Sequence, residues 1–476
     1  MSNFIKKIAQ NSFWLISAEI VNSGVGFVIA LLLARYLGTE GYGQLGFATS
    51  FVLMFLVLME SGFNLLLIRE TSKDSGNLKK LFPTMAHLRI IISLVVLIII
   101  LAMTVLLGKP AEIIILVLLM SIWTIFNNFS SILQAIFRGF QKMHFEAIAK
   151  AVQAVSLLVL LIIAIALNSS IFVITGSYAV SALVGFLLSL IFVKFLKEKF
   201  DWKIKKQVAI NILKKAWPFA ATYFFINLYY YFDTVILAQI TNDNIVGLYT
   251  AAYKLILLLI TLRVLINGAV FPALNKIWHN SKEKAVEIFH LFEKLAITFI
   301  IPVVVGGIIL ARPIINLLFG QDFTEATLAF QILLIGIGIM YINMLPPRIL
   351  TIADKQKTAM YIYMTGAVFN IVTNLIFIPI WGITAAAITT VLSELLIFIL
   401  FYIYSNKIFK IKIIKFFVSP LASALVMGIV IYFLNDYVNV ILNIIIGLII
   451  YIIMLFITKG ISRDFIKLNV DLILKK

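Results

Sequence analysis

The stretch that decides the fold runs from Asn11 to Ser50 and has the sequence NSFWLISAEIVNSGVGFVIALLLARYLGTEGYGQLGFATS. Between Ser12 and Leu33 it is apolar for at least the roughly 20 residues that a helix needs to cross a bilayer. Four polar or small residues interrupt it at positions i, i+3, i+4 and i+7, namely Glu19, Asn22, Ser23 and Gly26. That spacing places them on one helical face. Since a polar face toward lipid is costly, the pattern predicts a membrane helix that lines a cavity.

The composition predicts the fold class. Hydrophobic residues make up 62% of the chain and charged residues 13%, and the mean hydropathy is +1.09. Soluble domains have about 45–50% apolar and about 25% charged residues, so we predict an all-α polytopic membrane protein. The chain has no cysteine and only four histidines, which leaves no disulfide or thiolate chemistry and no expected metal site. The length of the first apolar segment predicts a retained helix rather than a cleaved signal peptide.

Apolar runs and charges together predict the topology. The sequence predicts fourteen transmembrane helices, at 12–34, 44–68, 83–107, 112–136, 145–167, 171–193, 216–240, 245–273, 286–310, 326–347, 358–379, 383–404, 416–434 and 439–458. If the N-terminus is cytoplasmic, the inside segments hold 31 lysines and arginines, and the outside loops hold three. The positive-inside rule then predicts that both termini are cytoplasmic. The net charge of +18 is explained by this topology, so no nucleic-acid partner is expected.

An internal repeat relates the two halves of the chain. An offset of 204 residues aligns Gly43 with Gly247 without a gap. The same offset carries the polar face of the first span onto Tyr223, Asn227, Tyr230 and Thr234 of the seventh. An even number of spans separates the copies, so the repeat is parallel. We predict an N-lobe at 1–200 with helices 1–6, a C-lobe at 201–405 with helices 7–12, and helices 13–14 with a cytoplasmic tail at 406–476.

Three short motifs resemble a known family. ARYLGTEGYGQLGFATS, from Ala34 to Ser50, resembles the first two helices of the polysaccharide transporter family, the O-antigen and oligosaccharide flippases of the multidrug/oligosaccharidyl-lipid/polysaccharide exporter superfamily. ESGFNLLLIRE, from Glu60 to Glu70, and LLFGQDFTEA, from Leu317 to Ala326, are also similar to that family.

The resemblance implies two six-helix lobes around a central cavity that alternates between inward-facing and outward-facing states. It implies a prokaryotic plasma-membrane protein that flips a polyprenyl-diphosphate oligosaccharide from the cytoplasmic to the outer leaflet. Its expected partners are that lipid-linked oligosaccharide, the lipid bilayer and enzymes of polysaccharide biosynthesis. No cofactor is expected beyond H⁺ or Na⁺ coupling, and we expect a monomer.

The substrate-binding candidates centre on a cation inside a span. Arg263 lies near the middle of span 8, where an ionisable side chain is functional by default. Its guanidinium can donate two hydrogen bonds to a diphosphate, and it is similar to the basic cavity residues of the related lipid II flippases. A buried ion pair is the alternative. The predicted substrate-binding residues are Arg263, Asn267, Tyr223, Asn227, Tyr230, Asn22 and Ser23.

Other charged and polar residues have two interpretations each. The intramembrane acids are candidates for ion coupling or for neutralising a base, and they are Glu19, Glu60, Asp233 and Glu394. Arg89 and Lys294 could form a basic vestibule or could snorkel to the inner surface. A stripe in span 4 suits either a glycan or interhelical hydrogen bonds, and consists of Asn127, Ser131, Gln134 and Arg138. Glu146 and Lys150 form an i, i+4 pair that we interpret as structural.

Three functions fit a polytopic chain of this kind: a flippase, a cation-coupled multidrug exporter of the same superfamily, and a membrane-embedded glycan polymerase or glycosyltransferase. Such an enzyme usually needs an extramembrane domain. The longest outer loop runs only from Ala311 to Glu325, and the chain has no D-x-D pair, so no enzymatic activity is expected. The motifs favour the flippase. The glycan itself depends on the shape of the cavity.

Overall fold

The computed structural model describes residues 2–60, 62–73, 76–196, 200, 202, 206–409 and 414–460. This part of the chain is helical and contains no strand. Its helices are α1 (Ser2–Glu60), α2 (Phe63–Lys73), α3 (Gly76–Leu106), α4 (Ala111–Gly139), α5 (Met143–Ala166), α6 (Ile171–Lys194), α7 (Lys206–Ile240), α8 (Asp243–Asn280), α9 (Lys282–Ile309), α10 (Ala311–Phe319), α11 (Ala326–Ile342), α12 (Pro346–Ile352), α13 (Gln356–Asn406), α14 (Val418–Leu434) and α15 (Val440–Ile457). Two 3₁₀ turns lie at Gln321–Phe323 and Ile414–Phe416.

The helices have the lengths and compositions of membrane spans. Within the described residues, ten helical segments are long and apolar enough to cross a bilayer. Two shorter apolar segments, Phe224–Ile240 and Val418–Leu434, accompany them. The prediction of an all-helical, multi-pass membrane protein is therefore confirmed.

Two of the helices change direction at a glycine. Gly38 in α1 has φ 65°, and Gly382 in α13 has φ 54°. Glycine reaches this left-handed region without the steric cost that a Cβ would add. The sequence predicts separate spans on either side of both glycines. In the structure, the helix continues on each side and the interruption is confined to one residue.

The apolar run predicted as the second span, 44–68, is divided in the structure. Helix α1 ends at Glu60, Gly62 takes φ 69°, and α2 begins at Phe63. Helix α2 buries Phe63 and Leu67 in an apolar cluster shared with α3 and α4. The left-handed glycine ends the first helix, and burial of these side chains stabilises the second one.

The described helices fall into two compact units, Met1–Thr250 and Ala251–Lys476. In the first unit, α4 and α5 pack against α6, and α1 packs against α4, α5 and α7. In the second unit, α9 packs against α11 and α14, α11 packs against α13, and α14 packs against α15. The lobe boundaries at 200 and 405 that follow from the repeat stay a prediction.

Inside the first unit, α1 crosses the start of α8 at two glycines. A Cβ on Gly43 would overlap the backbone of Asp243, and a Cβ on Gly247 would overlap the carbonyl of Thr39. Under the offset of 204, Gly43 corresponds to Gly247 and Thr39 corresponds to Asp243, so each side of the crossing matches the other. Thr39 Oγ1 also lies 2.6 Å from Asn244 Oδ1. The two backbones can approach this closely because neither glycine carries a side chain.

Candidate functional site

The first unit contains a polar cavity of about 500 Å³. Residues of α1, α2, α4 and α5 form its walls, together with Gly62 between α1 and α2. The polar or aromatic side chains that line it are Asn22, Glu60, Asn64, Trp123, Thr124, Asn127, Ser130, Ser131, Gln134, Arg138, Lys150 and Gln153. A concave site with several hydrogen-bonding groups and a few charges, placed among membrane-spanning helices, is suited to a polar ligand.

Helix α4 supplies the longest wall of the cavity. Its stripe of Asn127, Ser131, Gln134 and Arg138 follows helical spacing, and all four residues line the cavity. Asn127 Oδ1 accepts a hydrogen bond from Gln153 Nε2 of α5 at 2.7 Å. The stripe thus combines an interhelical hydrogen bond with a polar surface that faces the cavity. Whether it binds a glycan stays a prediction.

A buried carboxylate holds two cations at the cavity wall. Arg138 donates from Nε and Nη2 to the two oxygens of Glu146, at 2.7 and 2.6 Å. Lys150 Nζ lies 2.9 Å from Glu146 Oε1. The Glu146 side chain is fully buried, whereas those of Arg138 and Lys150 keep 39% and 27% of their surface exposed. Glu146 therefore fixes the position of two cations whose exposed surfaces can meet an anion in the cavity.

Arg89 braces the same wall from behind. It is fully buried, and its guanidinium donates to the backbone oxygens of Glu60 and Asn128 and to the side chains of Asn64 and Ser131. These partners belong to α1, α2 and α4, so one guanidinium connects three helices. The sequence suggested a vestibule or a snorkelling role for Arg89. The structure instead places it among hydrogen-bond acceptors inside the first unit.

Two of the predicted coupling acids lie at or near this cavity. Glu60 lines it and accepts a hydrogen bond from Asn64 Nδ2 at 2.7 Å. Glu19 is half-buried and accepts from Ser23 Oγ at 3.4 Å. Both carboxylates interact electrostatically with Arg138. Asn22, predicted to bind substrate, also lines the cavity.

The span 7 candidates lie on α7, away from the cavity lining described above. Asn227 and Tyr230 are half-buried, and the side chain of Tyr223 lies outside the described residues. Asp233 is buried and accepts hydrogen bonds from the Tyr249 hydroxyl and from the backbone N–H of Thr234. These contacts satisfy Asp233 within the first unit.

The remaining candidates belong to the second unit. Arg263 is half-buried and donates from Nη2 to the backbone oxygen of Asn343 at 3.3 Å. Asn267 and Glu394 are buried, with 7% and 5% of their surface exposed, and Lys294 is half-buried on α9. No contact in the structure assigns a ligand to them, so their roles stay predictions.

The second unit also contains a cavity, an apolar groove of about 450 Å³. Helices α8, α9, α10, α11, α14 and α15 contribute to its walls, which consist almost entirely of aliphatic and aromatic side chains. Pro302 of α9 lines the groove and leaves the carbonyl of Thr298, one turn earlier, without its helical donor. Tyr451 of α15 donates its hydroxyl to that carbonyl at 2.6 Å. Tyr451 thus satisfies the one carbonyl that Pro302 leaves open in this apolar wall.

The substrate-binding residues predicted from the sequence do not include Arg138, Lys150 or Gln153. Arg138 continues the span 4 stripe, and Lys150 and Gln153 follow Glu146 on α5 at spacings of four and seven. These spacings place the α5 residues on one helical face. The missing information was that the α4 and α5 faces meet at the same cavity.

Comparisons with known proteins agree with this architecture. A family model described as polysaccharide biosynthesis protein matches residues 8–278. An uncharacterized membrane protein of Methanocaldococcus jannaschii, MJ1068, is 27% identical over 287 residues, which cover 58% of this chain and 56% of that protein. A Shigella dysenteriae protein assigned as an O-antigen transporter is 23% identical over 270 residues, which cover 55% of this chain and 66% of that protein. The matched segment thus spans less than two thirds of the length of either relative.

A solved structure shares the fold over nearly the whole chain. The lipid II flippase MurJ, in an inward closed conformation, superimposes with a TM-score of 0.77 at 18% sequence identity. The superposition covers 94% of this chain and 98% of MurJ. At this identity the likeness establishes the fold, while the family model matches more than half of the chain. The chain therefore belongs to the family of polysaccharide biosynthesis proteins and has the fold of the lipid II flippase.

Proposed function

We propose that the chain is a flippase that moves a polyprenyl-diphosphate oligosaccharide from the cytoplasmic to the outer leaflet by alternating access. The observation that carries the proposal is the polar cavity of the first unit, where Glu146 holds Arg138 and Lys150 beside a row of amide and hydroxyl groups. The family, the O-antigen transporter relative and the fold support it. No bond is made or broken in this function, so the chain acts as a transporter rather than as an enzyme.

The cavity offers complementary groups for both parts of the polar head. Arg138 and Lys150 carry the charges that a diphosphate needs, and the Arg138 guanidinium can share hydrogen bonds between Glu146 and a phosphate oxygen. Asn127, Gln134 and Gln153 supply donors and acceptors for sugar hydroxyls. The apolar groove of the second unit suits a hydrocarbon chain, because its lining would replace lipid by equally apolar side chains.

The same proposal includes a definite topology. Helices α1 and α13 are each long enough to cross the bilayer twice, once on either side of Gly38 or Gly382. Counting each of them twice, together with the remaining candidate spans and the two shorter apolar segments, gives fourteen crossings. The excess of lysine and arginine in alternate connections supports cytoplasmic termini. The chain would work as a monomer in the plasma membrane of a prokaryote, beside enzymes of polysaccharide biosynthesis.

Coupling to H⁺ or Na⁺ would supply the energy for net transport, with no other cofactor. Glu60 and Glu19 are candidates in the first unit because Glu60 lines the cavity and both carboxylates interact with Arg138. Asp233 and Glu394 are candidates of the same kind elsewhere in the chain.

A cation-coupled drug exporter is the alternative function. Glu60 on the cavity wall would suit a cationic drug, whereas Arg138 and Lys150 would repel it. The two cations keep exposed surface toward the cavity, and Glu146 beneath them is fully buried. The arrangement therefore favours an anionic substrate.

The two functions are separated by liposomes that contain the purified full-length chain. A fluorescent polyprenyl-diphosphate disaccharide is placed in both leaflets, and dithionite, which does not cross the membrane, bleaches the label that reaches the outside. We expect bleaching of both leaflets with the chain and of the outer leaflet alone in protein-free liposomes. Bleaching of the outer leaflet alone with the chain present, together with transport of a cationic dye by the same liposomes, would overturn the flippase and support the exporter.

A further inference from the structure

Helix α9 buries a carboxylate without a hydrogen-bond donor. Glu293 lies inside the span Lys284–Ile309, has 2% of its surface exposed, and neither of its carboxylate oxygens has a partner among the described residues. An ionised carboxylate in such a place is very costly unless it is paired, and buried polar groups are almost always hydrogen-bonded. The exception at Glu293 therefore points to a carboxyl group that carries a proton.

The cation that acts on Glu293 is Arg263 of α8. Arg263 donates from Nη2 to the backbone oxygen of Asn343. Within the described part of the chain, its Nε has no partner and it forms no hydrogen bond to Glu293. The side-chain oxygen of Asn343, which is also 2% exposed, has no partner either. Unsatisfied polar groups thus lie on α8, on α9 and at the C-cap of α11. The Nε–H group of Arg263 is therefore available as a donor, and the buried carboxyl group of Glu293 lies within electrostatic range of the guanidinium.

The other titratable groups around α9 have partners, are exposed at the protein surface or lie on another side of the helix. The elements packed against α9 carry Arg312 on α10, Tyr341 on α11, Tyr432 on α14, Tyr451 on α15 and Lys415 in the second 3₁₀ turn. Tyr341 donates to the carbonyl of Leu259 and Tyr451 to that of Thr298, whereas Arg312, Tyr432 and Lys415 are exposed. On α9 itself, the His290 ring packs against Phe409 and Phe416, and Lys294 follows Glu293 by one residue, a rotation of about 100°. Arg263 is therefore the cation with which an ionised Glu293 would form an ion pair.

We propose that Glu293 is a proton-binding site, and that the proton on Glu293 keeps the Arg263 guanidinium free to bind a diphosphate group in the second unit. When Glu293 is protonated and neutral, it does not form an ion pair with the Arg263 guanidinium. When it loses the proton to water, the carboxylate draws Arg263 into an ion pair and competes with a diphosphate for the same donors. Proton binding and head-group binding are then linked, and each must strengthen the other by the same factor. This linkage rests on the proposed flippase function, while the proton site itself does not.

The proton site is tested by infrared spectroscopy on the purified full-length chain in lipid nanodiscs. A protonated carboxyl group in apolar surroundings has a carbonyl stretch distinct from that of a carboxylate. In the difference spectrum between the wild type and Glu293→Gln, which cancels the bands of the other acids, we expect one such band that disappears as the pH is raised, and we expect it to shift in Glu293→Asp. The matched control is Glu287→Gln, which alters an exposed acid on the same helix and should leave the band unchanged. A difference spectrum without this band would overturn the proposal.

The link to the anion is tested by binding of farnesyl diphosphate to the same preparations at a series of pH values. Over the pH range in which the infrared band disappears, we expect the wild-type affinity to fall by up to about tenfold per pH unit relative to Glu293→Gln. Comparing the two proteins cancels the titration of the probe itself. The Glu287→Gln variant should follow the wild type. Parallel pH profiles for the wild type and Glu293→Gln would overturn the linkage.

The two proposals can fail separately. If farnesyl diphosphate binds neither protein at any pH, the head-group role of Arg263 and the flippase proposal are both contradicted. The infrared band still decides whether Glu293 holds a proton. If the probe binds and the band is missing, the flippase proposal stands and the proton site does not.

Discussion

The polar cavity of the first unit and the apolar groove of the second unit have similar volumes, about 500 and about 450 Å³, and opposite linings. At the cavity wall, the carboxylate of Glu146 forms ion pairs with two cations, Arg138 and Lys150. Around the groove, the polar groups are mostly backbone atoms, and Tyr451 satisfies the carbonyl that Pro302 leaves open. The two linings therefore suit ligand groups of opposite polarity.

The comparison also shows how each lining is kept stable inside a bilayer. The cavity depends on the pairing of Glu146 with two cations, because a buried carboxylate without a partner is strongly destabilising. The groove carries no charged side chain in its lining, and side-chain donors such as Tyr451 and Asn443 satisfy backbone carbonyls along it. Damage to the cavity should therefore be much more costly than damage to the groove.

The largest effect is expected at Arg138. Replacing Arg138 by alanine removes the bidentate partner of the buried Glu146 and leaves Lys150 as its only cation. We expect a loss of about 2–3 kcal/mol, somewhat below the cost of breaking a fully buried pair because Arg138 is partly exposed. Flipping of a polyprenyl-diphosphate disaccharide should be abolished. Thermal unfolding in detergent and the liposome assay measure the two outcomes.

A double variant separates the structural role of Arg138 from its role in binding. Arg138→Met combined with Glu146→Gln removes the buried charge together with its partner, so the unfolding temperature should recover. Transport should stay abolished, because the diphosphate has lost its guanidinium. Normal flipping by the double variant would mean that Arg138 only neutralises Glu146.

A smaller loss of transport is expected when two polar side chains of the cavity wall are replaced by leucine, which brings the wall closer to the apolar lining of the groove. Asn127→Leu combined with Gln153→Leu removes the hydrogen bond between α4 and α5 and two groups that face the cavity. Replacing both partners of a hydrogen bond by apolar groups is nearly neutral, so stability should change by less than about 1 kcal/mol. Flipping of the disaccharide lipid should fall about tenfold, equivalent to about 1.4 kcal/mol. Polyprenyl diphosphate without sugar is the control, and an equal loss for both lipids would contradict a role in sugar binding.

The smallest effect is expected in the groove. Tyr451→Phe leaves the lining apolar but exposes the Thr298 carbonyl that Pro302 has deprived of its donor. We expect a loss of about 1 kcal/mol. In a Pro302→Ala background, the alanine N–H can restore the helical hydrogen bond, so the same change should cost little. A double-mutant cycle of thermal unfolding measures this coupling, and additive effects of the two substitutions would contradict the explanation.

The sequence predicted the helices better than their breaks. Apolar length alone places most of the spans, because a bilayer admits few other structures. The interruption at Gly38 falls between the predicted spans 12–34 and 44–68, whereas the break at Gly62 was not predicted. Either glycine could have stayed helical, and burial of Phe63 and Leu67 by neighbouring helices made α2 a separate element. Such breaks depend on contacts between distant segments, which periodicity does not record.

The candidate site was predicted in part for the same reason. The polar stripes of span 1 and span 4 were visible as spacings, and Asn22 and Arg138 now lie on one cavity. Arg89 has the same sequence signal as Arg263, an isolated cation in an apolar run, yet it is enclosed by four acceptors from three helices. Glu293 was not among the predicted intramembrane acids, although the neighbouring Lys294 was among the predicted bases. Only the fold reveals which isolated charge is satisfied by its neighbours.

The glycine crossing of α1 and α8 has a consequence for the history of the chain. A residue beside a two-fold axis meets its own copy, and Gly43 and Gly247 meet in this way under the internal repeat. If the repeats descend from two identical half-length chains, this contact lay on the symmetry axis of a homodimer, where a single mutation altered both sides at once. In that case, fusion of the two copies into one gene would have let the two positions change independently. Neither has acquired a side chain, since a Cβ on one glycine would still strike the backbone of the other half.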